Sequence, residues 1–477
     1  MASHPDRETI TKRRRDAARR ERPARVWPPA GARLAARRVS RPRPFGVNLL
    51  IVLAGLGLGI TIALGFIAES RGSLAAPGGV MTAIGRLTGL VGTYLLLITV
   101  LLIGRLPALE RVIGQDRLVK SHRLLGPSVI VLLMAHMVFI VIGYAQGLRT
   151  GTLHELSALL LSYPGVLAAA AGMCLLLLAG LTSYRAARAR MRYETWWAIH
   201  LYTYLAVALS FTHQIATGAS FLHHPWARAY WIVLWLLTAG AVLIYRFGLP
   251  MVRSFRHRLR VVAVHEEAPG VVSVICSGRR LDRLPVSGGQ FLQWRFLARG
   301  LWWQAHPYSL SAVPTADHMR VTVRALGDHS DSLARLRPGL RVAIEGPYGA
   351  FTHHARTTDR VVLVGAGVGA TPVRAMLDDL PAHVDVTVIL RASTRAELVL
   401  RDEIVACVAQ RSGRLHELVG PRARFPLDAA ALQRLVPDLA RRDLYVCGPK
   451  GFTQELIGSA LTLGVPETQI HYEDFAF

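Results

Sequence analysis

A chain of 477 residues leaves room for about three domains. Its hydrophobic fraction of 52% and net charge of +25, carried mostly by arginine, fit either a nucleic-acid binder or a protein at an anionic membrane surface. The basic residues flank long apolar runs, which excludes nucleic acid. Four cysteines (Cys174, Cys276, Cys407, Cys447) without CxxC spacing suggest neither a disulfide framework nor a cysteine zinc site.

Residues 1–45 are rich in Arg, Pro and Ala, include the run from Lys12 to Arg15, and lack apolar periodicity. They read as a disordered cytoplasmic tail and topology signal, with attraction to anionic lipid as the alternative. No short apolar region with a small-residue cleavage site precedes the first long span, so a cleaved signal peptide is not expected.

Residues 46–250 contain six apolar runs long enough to cross a bilayer, predicting an all-α six-helix membrane bundle. They cover Val47–Ala68, Leu87–Gly104, Leu124–Gly143, Gly165–Leu181, Thr195–Thr217 and Tyr230–Leu249. Basic residues collect in the tail, between spans two and three (Arg105 to Arg123), between four and five (Arg185 to Arg192) and after six (Arg253, Arg256). All of these fall on one side, which places both termini in the cytoplasm of a bacterial cell.

Histidine inside a membrane marks a functional site. Span three carries His122 and His136, and span five carries His200 and His213. Both spans run in the same direction, so the pairs lie at matching depths, about 20 Å apart along each helix. That leaves room for two stacked haems, each held between one His of span three and one of span five. Fourteen residues bring His122 and His136 near one helix face, whereas thirteen put His200 and His213 roughly 140° apart. Span five is therefore locally distorted, or its haems are approached from different sides. A proton relay is the competing reading, though it leaves the soluble half unexplained.

Residues 256–354 alternate in short segments broken by Pro269-Gly270 and Ser287-Gly288-Gly289, as in a small antiparallel β-barrel. In residues 355–477, the apolar run from Arg360 to Val364 leads into Gly365, Gly367, Gly369, Thr371 and Pro372, and then a helical stretch. A glycine-rich strand-to-helix turn lets backbone N–H groups approach phosphates, which predicts an α/β nucleotide-binding domain. Tyr308 offers an aromatic face and Ser309 a hydroxyl for a flavin ring, and Gly327 to Ser330 reads as a helix start for a pyrophosphate. Arg391 and Arg395 follow the domain's second strand, where a 2′-phosphate would lie; NADPH and NADH both stay open.

With these segments in order, the chain resembles the ferric reductase and NADPH oxidase superfamily over roughly Leu87 to Phe477. The paired histidines resemble that family's haem ligands, including the one-residue-shorter interval in span five. His306, Pro307, Tyr308 and Ser309 match its flavin motif, and Gly365 through Pro372 with Cys447, Gly448 and Pro449 match its nucleotide motifs. Glu473-Asp474-Phe475 looks like its terminal segment, whose aromatic covers the flavin; Phe475 is preferred there and Phe477 is the alternative. The resemblance implies FAD, two b-type haems and NADPH or NADH as cofactors, with Ser309, Cys447 and Phe475 at the reacting end. It implies electron transfer across the bilayer to an outer acceptor, with a ferric species first, then O2, then a protein partner. An Arg of span two shapes the oxygen site in NADPH oxidases, and Arg86 stands there. The second histidine those enzymes often carry one turn beyond the outer ligand is Ile140 here.

Overall fold

A computed structural model of the chain describes residues 44–325 and 328–474. The tail before residue 44, Gly327, Phe475 and Phe477 lie outside the described residues.

Six long helices come first: α1 (Pro44–Ile67), α2 (Gly79–Leu102), α3 (Gln115–Leu148), α4 (Val166–Ser183), α5 (Tyr193–Thr217) and α6 (Pro225–Ala241). Among the described residues five stretches are long and apolar enough to cross a membrane: Gly46–Ile67, Gly79–Leu102, Arg117–Leu148, Val166–Ser183 and Pro225–His257. The expected span Thr195–Thr217 lies inside α5, which has the length but not the apolarity. Its histidines, Gln214 and several Tyr and Thr residues dilute the aliphatic run.

Small residues set the helix packing, as expected where apolar surface alone cannot drive association. A Cβ added at Gly85 would stand 2.9 Å from Ile140, and one at Gly92 would stand 3.0 Å from Leu133, so α2 and α3 approach at near backbone contact. Gly172 does the same for α4 against α5, where a Cβ would meet the Ala206 carbonyl oxygen at 2.8 Å.

Helix α6 continues through a π-helical segment, Val242–Gly248, into α7 (Leu249–His257) and so into the soluble half. Here the two halves are tied together. Glu345 Oε1 accepts from Arg246 Nη1 at 2.9 Å and from the Tyr348 hydroxyl at 2.7 Å, and lies 3.7 Å from Arg105 Nε. The Arg105 guanidinium also covers the Tyr348 ring at 4.2 Å, and Arg253 donates to the Gly346 carbonyl.

The first soluble domain has six strands: β1 (Arg260–Ala268), β2 (Val271–Ser277), β3 (Phe291–Phe296), β4 (His306–Ser309), β5 (His318–Arg324) and β6 (Val342–Tyr348). They form two antiparallel three-stranded sheets, β1-β2-β5 and β4-β3-β6, around a shared core that includes Trp294, Phe296 and Val321. The expected closed β-barrel is not formed. Among the described residues the sheets are linked by two isolated bridges, Arg260 with Arg341 and Leu310 with Val321, and not by a continuous ladder. Beyond the first bridge the facing segment turns at Gly339, with φ of +87°, so pairing with β1 does not extend.

The second domain is an all-parallel sheet with helices on its connections. Its elements are β7 (Arg360–Ala366), α8 (Ala370–Asp379), β8 (Asp385–Ala392), α9 (Arg401–Gln410), β9 (Arg414–Val419), β10 (Asp443–Gly448) and β11 (Ile470–Asp474). The strand order is β11-β10-β7-β8-β9, so the chain reverses direction across the sheet between β7 and β10.

A buried ion cluster joins the two soluble domains. Glu403 on α9 takes Arg320 of β5 through both oxygens, at 2.6 and 2.8 Å, and Arg374 of α8 at 2.9 Å. Burial pushes the Glu403 pKa up, but the two guanidiniums outweigh it and hold the carboxyl below its ordinary value. Removing the shared anion strips the buried Arg320 of its bidentate carboxylate and leaves Arg374 with Asp378 alone, at 2.6 Å. Glu403→Ala is therefore expected to cost about 3–5 kcal/mol, read as earlier thermal release of flavin fluorescence, against about 0.5 kcal/mol or less for the exposed Glu467→Ala.

The membrane joint is expected to depend on pH. Glu110, in the short helix Pro107–Ile113, is raised to about 7 by burial, with Arg105 opposing and Glu345 adding to the shift. Unfolded, this carboxyl titrates at its ordinary 4.5. Its stabilising contribution is thus complete below that value and is lost as pH rises through about 7. Protease cleavage near Arg256 should accelerate across this window in the native protein, and Glu110→Gln should flatten the dependence.

Candidate functional site

In the membrane half the four histidines come together as two pairs. The His122 and His200 ring centres lie 6.0 Å apart, and those of His136 and His213 lie 6.4 Å apart. One metal between two imidazoles, with bonds of about 2 Å and about 1 Å more from each nitrogen to its ring centre, separates the centres by roughly 6 Å. Both pairs have that spacing.

The ring tautomers fit as well. The Nδ1–H of His122 donates to the Thr99 carbonyl at 3.1 Å, and that of His136 donates to the Gly85 carbonyl at 2.7 Å. Each bond leaves Nε2 with a lone pair for a metal and fixes the ring's orientation. Gly89 makes the space, since a Cβ there would lie 2.5 Å from His136 Nδ1. On α5, His213 Nδ1 is buried without a hydrogen-bond partner among the described residues. His200 stacks on Trp196 at 5.2 Å, and its Nδ1 lies 3.5 Å from the Ser183 hydroxyl, which accepts the Trp196 indole N–H at 3.0 Å. Helix α5 is an unbroken α-helix, so the thirteen-residue interval is taken up by side chains. The rings of the two pairs meet at 77° and 37°.

Thr99, Gly85, Gly89, Ser183 and Trp196 are absent from the sequence-predicted site. The Gly85-xxx-Gly89 spacing on span two is a legible signal of close helix packing. The carbonyl partners carry no side-chain signature.

In the soluble half, β4 carries the flavin motif at the edge of its sheet. Pro307 is exposed, His306 and Tyr308 are half-buried, and Ser309 is buried. The His306 and Tyr308 rings stack at 6.1 Å, and Trp294 Nε1 holds the strand by donating to the Tyr308 carbonyl at 3.2 Å. Burial pushes the Tyr308 phenol well above its usual range, so the hydroxyl keeps its proton. Ser330 lies in the short helix Asp328–Leu333.

The nucleotide motifs converge at the carboxyl ends of β7 and β10, beside the point where strand order reverses. Open α/β sheets bind ligands at that point. Cys447 pairs in register with Gly365 on one side and Glu473 on the other, which aligns three segments far apart in sequence. A Cβ at Gly369 would stand 2.1 Å from the Cys447 carbonyl oxygen, so only glycine lets the turn close against β10, where Gly448 and Pro449 follow. Gly367 turns with φ of +56°. Thr371 and Pro372 are buried in the first turn of α8, and the Thr371 hydroxyl has no partner among the described residues. The Cys447 side chain is fully buried in the sheet core.

Arg391 and Arg395 differ in what they touch. The Arg391 guanidinium donates to the carbonyls of Ala392, Leu418 (3.0 Å) and Gly420 (2.7 Å), whereas Arg395 is exposed. Arg391 nevertheless lines a cavity of about 290 Å³ with Arg422, Phe425 and Phe452, next to the cleft formed by Gly365, Gly367 and Ala370. An aromatic and basic cavity continuing from a glycine-rich turn suits a nucleotide's outer half.

Residues 88–211 match the ferric reductase like transmembrane component family, and residues 258–352 match an FAD-binding domain. The chain is 26% identical over 358 residues to a flavohemoprotein of Xylella fastidiosa, covering 69% of this chain and 85% of that protein. It is 32% identical over 232 residues to the ferredoxin reductase component of 3-ketosteroid-9-alpha-monooxygenase of Mycolicibacterium smegmatis (46% and 65%). To the probable respiratory burst oxidase homolog protein I of Arabidopsis thaliana it is 27% identical over 215 residues, 39% of this chain and 22% of that protein. A ferric-reductase-like helical segment followed by an FAD-binding segment, with a flavohemoprotein and a respiratory burst oxidase homolog among its relatives, fits the ferric reductase and NADPH oxidase superfamily.

Proposed function

We propose that this membrane oxidoreductase moves electrons from NAD(P)H through FAD and two b-type haems to an acceptor on the outer side of the bilayer, ferric iron or a ferric chelate. The observation that carries the reading is the spacing of two histidine pairs, 6.0 and 6.4 Å, on helices that lead toward a flavin and nucleotide module. FAD, when bound, accepts a hydride and gives up its electrons singly, which a one-electron haem requires.

The chain's own residues bind and orient. His122 with His200 would hold the inner haem and His136 with His213 the outer one, with Thr99 and Gly85 fixing the tautomers. His306 to Ser309, with Gly327 and Ser330, would hold FAD. Gly365 to Pro372 and Cys447 to Pro449 would receive the nucleotide, and Phe475 or Phe477 would cover the flavin. Since Arg391 is occupied by carbonyls, Arg395 is the better partner for a 2′-phosphate. Basic connections on one face give six crossings with both termini cytoplasmic.

Two observations favour iron over oxygen at the outer end. Arg86 is neutralised by Glu69 at 2.9 Å, and Ile140, one turn beyond His136, packs against Gly85. The likeness to a respiratory burst oxidase homolog keeps O2 as the second reading.

Purified holoprotein given NAD(P)H should reduce a ferric chelate faster than O2, Cu(II) or a quinone. Superoxide formed in step with nucleotide consumption would instead make it an oxidase. His136→Ala should lose one of the two haems by pyridine haemochrome assay and leave flavin reduction by NAD(P)H intact. Gly89→Ala, which pushes on the same ring, should do likewise, and full haem content in both variants would overturn the ligand assignment.

A further inference from the structure

A second cluster of donor atoms lies away from the haem, flavin and nucleotide residues. His353 and His354 follow β6 in the segment that joins the flavin domain to the nucleotide domain, and Asp379 ends α8. One ligand atom from each lies within 4.8 Å of the other two. His353 Nε2 is 3.6 Å from Asp379 Oδ2, and the two imidazole centres are 3.9 Å apart. His354 Nε2 is buried without a hydrogen-bond partner among the described residues. A buried polar atom in that state costs free energy unless something occupies it.

The electrostatics suit a cation that takes neutral imidazole. Burial and then the neighbouring His354 hold His353 below the ordinary histidine range; burial and then Arg356 do so for His354, each against the pull of Asp379. Neutral rings offer lone pairs without first releasing a proton. Two imidazoles and one carboxylate suit a borderline divalent transition metal, whereas Mg²⁺ and Ca²⁺ take oxygen.

We propose that His353, His354 and Asp379 bind a divalent transition-metal cation of the zinc type at the seam between the flavin and nucleotide domains. Water completes the coordination. Asp379 Oδ2 also accepts the backbone N–H of Gly288 at 2.9 Å, so a cation here ties the interdomain segment, the flavin domain and α8 to one point.

Arg356 tunes the site. Its Nη1 donates to His353 Nδ1 at 3.1 Å, which leaves the ring proton on Nε2, the nitrogen facing Asp379. Metal binding through Nε2 requires that bond to break. Arg356 has alternatives in the His353 carbonyl at 3.2 Å and Asp359 at 3.5 Å. The competition makes this a reversible site, filled when cation concentration rises.

The test is Zn²⁺ titration by calorimetry of chelator-treated, untagged holoprotein. Wild type should bind one Zn²⁺ that His354→Gln and Asp379→Asn bind at least about tenfold more weakly. The exposed His265→Ala should bind it unchanged, and Arg356→Met should bind it more tightly. Equal affinity in wild type, His354→Gln and Asp379→Asn would overturn the site, as would a wild type that binds no Zn²⁺. If the ligand variants fail to retain flavin, Arg356→Met decides, since it keeps all three donors: tighter binding supports the site and unchanged affinity overturns it.

Discussion

Glu345 is the constraint on which the alignment of the two halves depends. Arg105 comes from the connection after α2, Arg246 from the π segment after α6, and Tyr348 from β6 itself. Three segments distant in sequence converge on one carboxylate oxygen, and without that anion the two guanidiniums would repel each other across the seam. A soluble module hung from a single helix would otherwise sample many orientations. The proposed electron transfer between the halves needs one orientation, and this carboxylate restricts the choice by hydrogen bonds to Arg246 and Tyr348 and an ion pair with Arg105.

Glu403 does for the next seam what Glu345 does for the membrane joint. It draws Arg320 and Arg374 together across the flavin and nucleotide domains. Buried ion clusters contribute little net stability, because desolvation offsets their attraction, but they tolerate few alternative arrangements. Both seams of this protein are thus set by one glutamate each between two arginines. The scheme favours defined geometry over strength.

Much of this was legible in the sequence. Histidine is costly in a bilayer, so four at matched depths stand out, and they pair as the spacing predicts. The glycine-rich turn and the Cys447 segment were legible for a similar reason, since tight turns at strand ends restrict residue choice. Other features were not. The Thr99 and Gly85 carbonyls that orient the rings belong to the backbone, which every residue has. The barrel is left open where the chain turns at Gly339 beside the Arg260 bridge, and alternation of side chains does not say how far two strands pair. Arg391 looked like a phosphate ligand because it follows the right strand, but its guanidinium turns inward to carbonyls about 27 to 29 residues further along the chain. The run Thr195–Thr217 reads as a span from its length and its place in the alternation of sides; a helix forms there, but its polar groups keep it below the apolarity of the five other stretches.

The helical connection from α6 through the π segment to α7 has a consequence for anyone recombining these halves. A helix transmits rotation as well as distance, so each residue added or deleted between Val242 and Arg253 turns everything downstream by about 100°. A one-residue change would swing Arg253 off Gly346 while leaving every side chain in the joint chemically intact. The smallest insertion that nearly restores the phase is seven residues, which displaces the flavin module by about 10 Å along the axis. Chimaeras that exchange the soluble half are therefore constrained first by residue count across this segment, and only then by surface complementarity.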